Sequence, residues 1–263
     1  MPVEAYIVRL LSSALLFTLV VAAQQLSVLP STVPGLECIA PQSPEFPALV
    51  TRIVGPDRPA GLAAALPYGI VIRNATSQAI AAVDTVWTSQ NQVLLNAADT
   101  LFNRPMLYVK PGQAVLAIPP GLLQNQGQLR IFANGAASGL RLANFQNPGA
   151  VTVTVDAIAF ESGQFVGADR YGAFEQWEAQ IQAPRDLANA VLQKQNSGSI
   201  GGIVNWLEGL AAVRRPPADP HAQETVLAAR VLLAAYRSMG ETGLYSRARS
   251  VLDVPAFPLH RSR

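Results

Sequence analysis

Apolar positions change their period twice along this chain. Over 68–166 they alternate with polar ones in short runs, the period of two that suits half-buried strands. After Gly167 they recur at three and four residues, the period of amphipathic helices. Ahead of both lie a continuous apolar run at 10–21 and a proline-rich stretch at 24–67.

Turn residues divide the alternating region. Residues 68–73 place Ile70 and Ile72 on one face, and Asn74-Ala75-Thr76-Ser77 supplies a turn, because Asn and Ser side chains satisfy local backbone groups. Residues 78–88 end with Val83, Thr85 and Trp87 on a common face. Residues 106–109 lead through Lys110-Pro111-Gly112 into 113–118, which aligns Ala114, Leu116 and Ile118; 128–133 aligns Leu129 and Ile131. Residues 149–160 are the most informative. Val151, Val153 and Val155 share one parity, whereas Ile158 and Phe160 have the other. A strand keeps both sets on one face only with an extra residue inserted, so the pattern predicts a β-bulge near Asp156-Ala157. Glu161-Ser162-Gly163 then turns the chain into 164–166. About seven or eight short strands at this spacing predict an antiparallel immunoglobulin-like β-sandwich over 68–166.

In the helical region Phe174, Trp177 and Ile181 fall at i, i+3 and i+7, with Glu175 and Glu178 off that stripe. Pro184 is expected to kink this helix or to start a second segment ending near Lys194. Ser197 and Ser199 are capping candidates for the next helix, whose stripe is Ile200, Ile203, Val204, Leu207, Leu210 and Ala211. Arg214-Arg215 suits its C-terminus, and Pro216-Pro217 closes it. Asp219-Pro220 is a cap followed by proline at the first helical position; Val226, Leu227, Leu232, Leu233 and Tyr236 then lead to a stop at Gly240. One-sided helices must pack on each other or on the sandwich. The expected fold class is therefore α+β, a sandwich followed by a helical region at 167–263.

The N-terminus changes the picture of where this fold works. Arg9, the apolar run and Val21-Ala22-Ala23 follow the order of a secretory signal at 1–23, with cleavage after Ala23. About a dozen apolar residues are too few to cross roughly 30 Å of hydrocarbon as a helix. Export to the periplasm or the exterior is the expectation. Eight of the twenty prolines lie in 24–67. Proline lacks an amide donor and fixes φ, so this stretch is expected to be an extended linker, with 48–54 as one edge strand.

Composition then narrows the chemistry. The formal net charge of +2 gives no reason to expect nucleic acid as a partner, and one cysteine excludes a disulfide scaffold. Cys38 is expected to be a free thiol in a mobile segment or a handle for an intermolecular bond. His221 and His260 are far apart in sequence, which excludes a local histidine metal pair, and both are expected to be solvated. Ser197-Gly198-Ser199-Ile200-Gly201 approaches a nucleophile elbow but begins with Ser where the pattern needs Gly, and it follows a helix. No glycine-rich phosphate loop is present in the sequence. No catalytic, cofactor or metal site is therefore assigned, with one weak exception. Asp156, Glu161 and Asp169 surround one strand and its hairpin, and together they form a weak calcium candidate. Against it, Asp156 is expected to fill the bulge and Asp169 to cap the following helix or pair with an arginine. Asn74-Ala75-Thr76 matches a glycosylation sequon, and Trp87, Trp177 and Trp206 fall on apolar stripes that read as core.

The run VTVTVDAIAFESGQFVGADRYGAFEQWEAQIQAPRDL at 151–187 resembles uncharacterised exported bacterial proteins of acidobacterial type. In these a strand with D-x-x-x-F, a Gly hairpin and a G-x-D-R step lead into an amphipathic helix. The corresponding positions here are Asp156, Phe160, Gly163, Gly167, Asp169 and Arg170. The resemblance also takes in the Asn74-Ala75-Thr76-Ser77 turn and the export signal. It implies an immunoglobulin-like sandwich followed by helices; it implies no activity and carries over no catalytic residue.

The expected function is a non-catalytic envelope or extracellular module, interacting or structural, whose partner is a protein or an envelope polymer. A carboxylate hydrolase of unrecognised type is one alternative, marked by an aromatic-lined cleft with two converging carboxylates. A membrane-surface protein is another, with weak contact through the Arg-rich C-terminus, where 214–263 holds eight arginines against four acids.

Overall fold

The computed structural model describes residues 26–55, 62–89, 92–100, 109–118, 131–132, 150–196, 198–214 and 217–261. The expected signal sequence, its cleavage position at Ala23 and the expected strand positions 106–108 and 128–130 lie outside the described residues.

The described elements are β1 (Leu26–Val28), β2 (Leu36–Ile39), α1 (Phe46–Val54), α2 (Leu62–Ala65), β3 (Ile70–Asn74), β4 (Ile80–Ser89), β5 (Gln92–Thr100), β6 (Ala114–Ala117), β7 (Ile131–Phe132), β8 (Val151–Phe160), β9 (Gln164–Gly167), α3 (Ala173–Gln195), α4 (Ile200–Ala211), α5 (Pro220–Asp253) and β10 (His260–Arg261). The result is a mixed α+β fold. One sheet has the order β10-β9-β8-β4-β5, with β1 also paired to β8; the other has the order β2-β3-β6-β7. Ile70, Ile72 and Val115 from the second sheet meet Val83, Trp87, Val153, Val155 and Ile158 from the first in one shared core. Removing each such side chain from water stabilises the fold by about 1.5–3 kcal/mol. The Trp87 indole Nε1 donates to the Tyr68 carbonyl at 2.8 Å, which satisfies its polar edge inside that core.

The strands are not all antiparallel as expected. β1 with β8, β6 with β7 and β9 with β10 pair in parallel. The first of these arises because β8 has one long edge to fill. β4 covers its other side, while β1 takes Val151–Val153 and β9 takes Ala157–Ala159.

Over its described part, 24–67 is not an extended linker. β1 and β2 add to the two sheets, and α1 covers the outer face of the second. The edge strand expected at 48–54 is this helix. Phe46, Leu49, Val50 and Val54 fall on one side and are buried against Ile39, Val71, Leu116 and Ile118. The helical period shows only when Phe46 is counted, and Pro47 sits in the first turn, where an amide is dispensable.

The bulge is where parity requires it. Opposite β4, Asp84 pairs with Ala157 and Thr85 with Val155, leaving Asp156 as the extra residue. Val151, Val153, Val155, Ile158 and Phe160 all reach the inner core, and Ala157 and Ala159 turn to the outer face. There Ala82, Ala157 and Ala159 leave room for a large side chain. Trp177 of α3 fills it, fully buried, with its ring centroid 5.5 Å from that of Phe165.

α3 runs unbroken through Pro184. Ser199 caps α4 through the Gly202 amide at 3.2 Å, and Asp219 caps α5 through the Ala222 amide at 2.7 Å. The carbonyls at the end of α4 are met from α5: Arg230 donates to those of Ala211 and Val213, the role that sequence assigned to Arg214-Arg215. Gly240, at φ 62°, breaks α5 as expected of a stop, but the helix resumes beyond it and buries Leu244, Tyr245 and Ala248 with Leu187, Val191, Ile203 and Leu207. Among the described residues, no helix is long and apolar enough to cross a membrane.

Candidate functional site: a pinned loop and a C-terminal strap

The richest polar arrangement grows from the bulge. Asp156, the residue inserted into β8, is fully buried. Its Oδ2 accepts the Arg170 amide at 2.7 Å, and its Oδ1 accepts Arg170 Nε at 2.6 Å. Its carbonyl accepts the Ala168 amide at 2.9 Å. A buried carboxylate is tolerable when paired and hydrogen-bonded in this way. Gly167, at φ 138°, makes the approach feasible: a Cβ there would lie 2.3 Å from the Asp156 carbonyl oxygen. Three bonds to one bulged residue therefore fix the loop at 168–172.

That loop carries the left-handed Asp169, at φ 52°, and Gly172, at φ 73°. Asp169 Oδ1 accepts the Phe174 amide at 3.2 Å, one of the free amides in the first turn of α3, whose N-cap residue is Gly172. Its other oxygen, Oδ2, accepts a bond from Arg261 at 2.7 Å. Arg261 also donates to Glu175 Oε1 at 2.9 Å, and its guanidinium lies 4.4 Å from the Phe174 ring centroid and 5.5 Å from that of Phe165. Partial desolvation works against the Arg261 charge, but the Asp169 bond and the charges of Asp169 and Glu175 outweigh it and raise the guanidinium above its ordinary range. Outside this cluster, the loop exposes Tyr171 and half of the Arg170 side chain.

The structure separates the three members of the calcium candidate. Asp156 is taken by Arg170, Asp169 by Phe174 and Arg261, and Glu161 Oε1 accepts the Ala79 amide at 3.4 Å. Among the described residues, no group of three or more His, Cys, Asp or Glu side chains could hold a metal ion. Asp156 fills the bulge as expected, and of the two alternatives for Asp169 the arginine pair is present, whereas the N-cap of α3 is Gly172.

Other candidates have structural places. Asn74 is fully buried; its Nδ2 donates to the Gln78 and Val109 carbonyls at 2.8 and 2.7 Å, and its Oδ1 accepts from the Thr76 amide and hydroxyl. The sequon asparagine is thus a turn residue whose amide nitrogen is engaged in the folded chain. Cys38 lies on β2 opposite Ile72, half-buried against the inner core, rather than in a mobile segment. Burial pushes its thiol up to about 11. His221 Nε2 lies 3.0 Å from Asp186 Oδ2, and His260 Nδ1 lies 2.8 Å from the Pro258 carbonyl; both are exposed, yet neither is only solvated.

Sequence reasoning missed Asp84, Glu175 and Arg261. Asp84 is fully buried on β4 opposite Ala157, so a second buried aspartate lies beside the bulge that Asp156 forms. Its signal was a lone acid inside the apolar run IAAVDTVW. Arg261 had no signal, because its partners lie in a distant segment.

Comparisons with protein-family models, curated proteins and solved structures return no match for this chain.

Proposed function

We propose that this chain is an exported, non-catalytic interaction module of the envelope or the exterior. Its two facing sheets serve as an immunoglobulin-like scaffold, and its partner is a protein or an envelope polymer. The observation that carries this reading is the use made of Asp156 and Asp169. Each carboxylate bonds both a backbone amide and an arginine, and together they hold the 168–172 loop in one shape. Rigid loops on a sheet scaffold are a common basis for recognition. The weak membrane contact drawn from the Arg-rich C-terminus loses two of its arginines to internal roles, Arg230 at the end of α4 and Arg261 on Asp169.

One observation favours the hydrolase reading: Asp169 and Glu175 converge beside Phe165 and Phe174. In this structure the space between the two carboxylates is taken by the Arg261 guanidinium, a poor arrangement for proton transfer to a substrate. A screen of the mature protein against esters, glycosides and peptides tests both readings. We expect no turnover. Turnover that disappears in Asp169→Asn or Glu175→Gln overturns the non-catalytic reading. Export is tested by N-terminal peptide mapping of protein from the native host: a start at Gln24 is expected, and an intact Met1 on cytoplasmic protein overturns it.

A further inference from the structure

The last described residues behave as a bound ligand of their own fold. After α5 the chain returns to the first sheet, where His260 and Arg261 pair in parallel with Gln164 and Phe165 at the outer edge of β9. Side chains at 257, 259 and 261 face the fold, with a tight turn at Pro258, where the Leu259 amide donates to the Phe257 carbonyl at 2.9 Å, ahead of the two-residue strand. Phe257 and Leu259 rest on the cluster of Phe165, Phe174 and Trp177, and Arg261 enters between Asp169 and Glu175. Pro258, of the other parity, brings its carbonyl so close to Gly163 that a Cβ there would lie 1.9 Å away. The His260 amide donates to the Gly163 carbonyl at 2.9 Å.

The receiving side is built for a guanidinium. Asp169 is held by a left-handed backbone and by the Phe174 amide, so its Oδ2 is aimed before Arg261 arrives. Its side chain is only 6% exposed. Phe165 and Phe174 stand edge to face, with centroids 5.2 Å apart, and both rings lie under the cation. The occupant, by contrast, is largely exposed. Val254, Pro255, Ala256, Pro258, His260 and Arg261 are all exposed, and the two prolines offer no amide to a sheet edge. Arg261 and Glu175 are each about half exposed, so their ion pair is weak and screened by salt.

We propose that the β9 edge and the Asp169–Glu175–Phe174 socket form a binding site for an extended peptide segment of the pattern aromatic-x-aliphatic-x-Arg, which residues 257–261 occupy in cis as a displaceable strap. This rests on the interaction-module reading and names its surface and the chemistry of its partner. A partner strand adds to the β9 edge by backbone pairing, and the socket selects its arginine. The strap keeps that edge covered when no partner is present.

The test uses the full chain and a fluorescently labelled peptide of residues 254–261, VPAFPLHR, followed by anisotropy. The Arg261→Ala chain, whose own strap competes poorly, is expected to bind the peptide about 10-fold more tightly than the unaltered chain. Replacing the peptide's arginine with alanine is expected to weaken binding about 10-fold, whereas adding Glu175→Gln to the chain, or raising NaCl from 0.05 to 0.5 M, is expected to weaken it only about 2- to 3-fold, since the Glu175 pair is half exposed. Equal binding to both chains, or indifference to the peptide's arginine, overturns the proposal. If Arg261→Ala fails to fold, amide exchange on the unaltered chain decides. The His260 amide should exchange far faster than those of β8, and faster still in salt; protection equal to β8 overturns the displaceable strap. Turnover in the hydrolase screen would overturn the wider reading and leave these binding results standing, so the two failures are distinguishable.

Discussion

Removing Asp156 tests the arrangement at its origin. The Asp156→Ala change deletes two bonds to a fully buried carboxylate, one from the Arg170 amide and one from Arg170 Nε. Hydrogen bonds to charged groups contribute about 1.5–3 kcal/mol each. The Nε bond belongs at or below the low end, because Arg170 is half exposed and its ion pair is screened. The expected loss is therefore about 2–4 kcal/mol. With a urea slope near 2–3 kcal/mol/M, the unfolding midpoint should fall by about 1 M. The signal is tryptophan fluorescence, since Trp87 and Trp177 are both fully buried. Arg170→Ala should cost a similar amount for a different reason: it leaves a buried carboxylate with no arginine partner and with the residue-170 backbone amide as its donor. The double variant should then be less destabilised than the sum of the singles by about 1 kcal/mol or more. In native-state exchange the Arg170 amide should lose protection in Asp156→Ala. A midpoint shift below about 0.3 M, or strict additivity in the double variant, would refute the idea that this pair pins the loop.

Three further outcomes are expected. Trp177→Ala empties the pocket over Ala82, Ala157 and Ala159 and should cost about 3–5 kcal/mol, a melting temperature lower by about 10 °C; an unchanged curve would mean that α3 does not pack on the sheet. Gly167→Ala places a Cβ 2.3 Å from the Asp156 carbonyl oxygen and 2.5 Å from Ala157 Cα at a positive φ, and should cost at least about 2 kcal/mol by urea unfolding, whereas Gly201→Ala, where a Cβ meets nothing, should not destabilise. The Cys38 thiol ionises at its ordinary 9.0 when unfolded and at about 11 when folded, so its contribution is intact below pH 9 and is lost as the pH rises toward 11. Urea unfolding at pH 8 and 10.5 should therefore show a smaller drop in Cys38→Ala than in the unaltered chain.

Legibility followed the range of the interaction. Where both partners lie within a few residues, the pattern alone was enough. The parity change between Val155 and Ile158 located the bulge at Asp156. Ser199 and Asp219 were readable as caps because each bonds an amide three residues on. Trp177 was readable as core from its place in the Phe174–Ile181 stripe, though not what it would pack against. α1 was misread because nine residues flanked by prolines show too little period to separate helix from strand.

Sequence by itself determined the mixture of strands and helices, the turn at Asn74, the bulge and the helix caps. These depend on steric preference and on hydrogen bonds that close over short loops. Tertiary structure alone decided that β1 and β9 share one edge of β8, that α1 joins the second sheet, and that Arg261 reaches Asp169 across 92 positions of sequence. The physical reason is common to all three. A sheet edge or a carboxylate accepts any segment of suitable shape and charge, so the choice among distant segments is made only when the packed core brings one of them within reach.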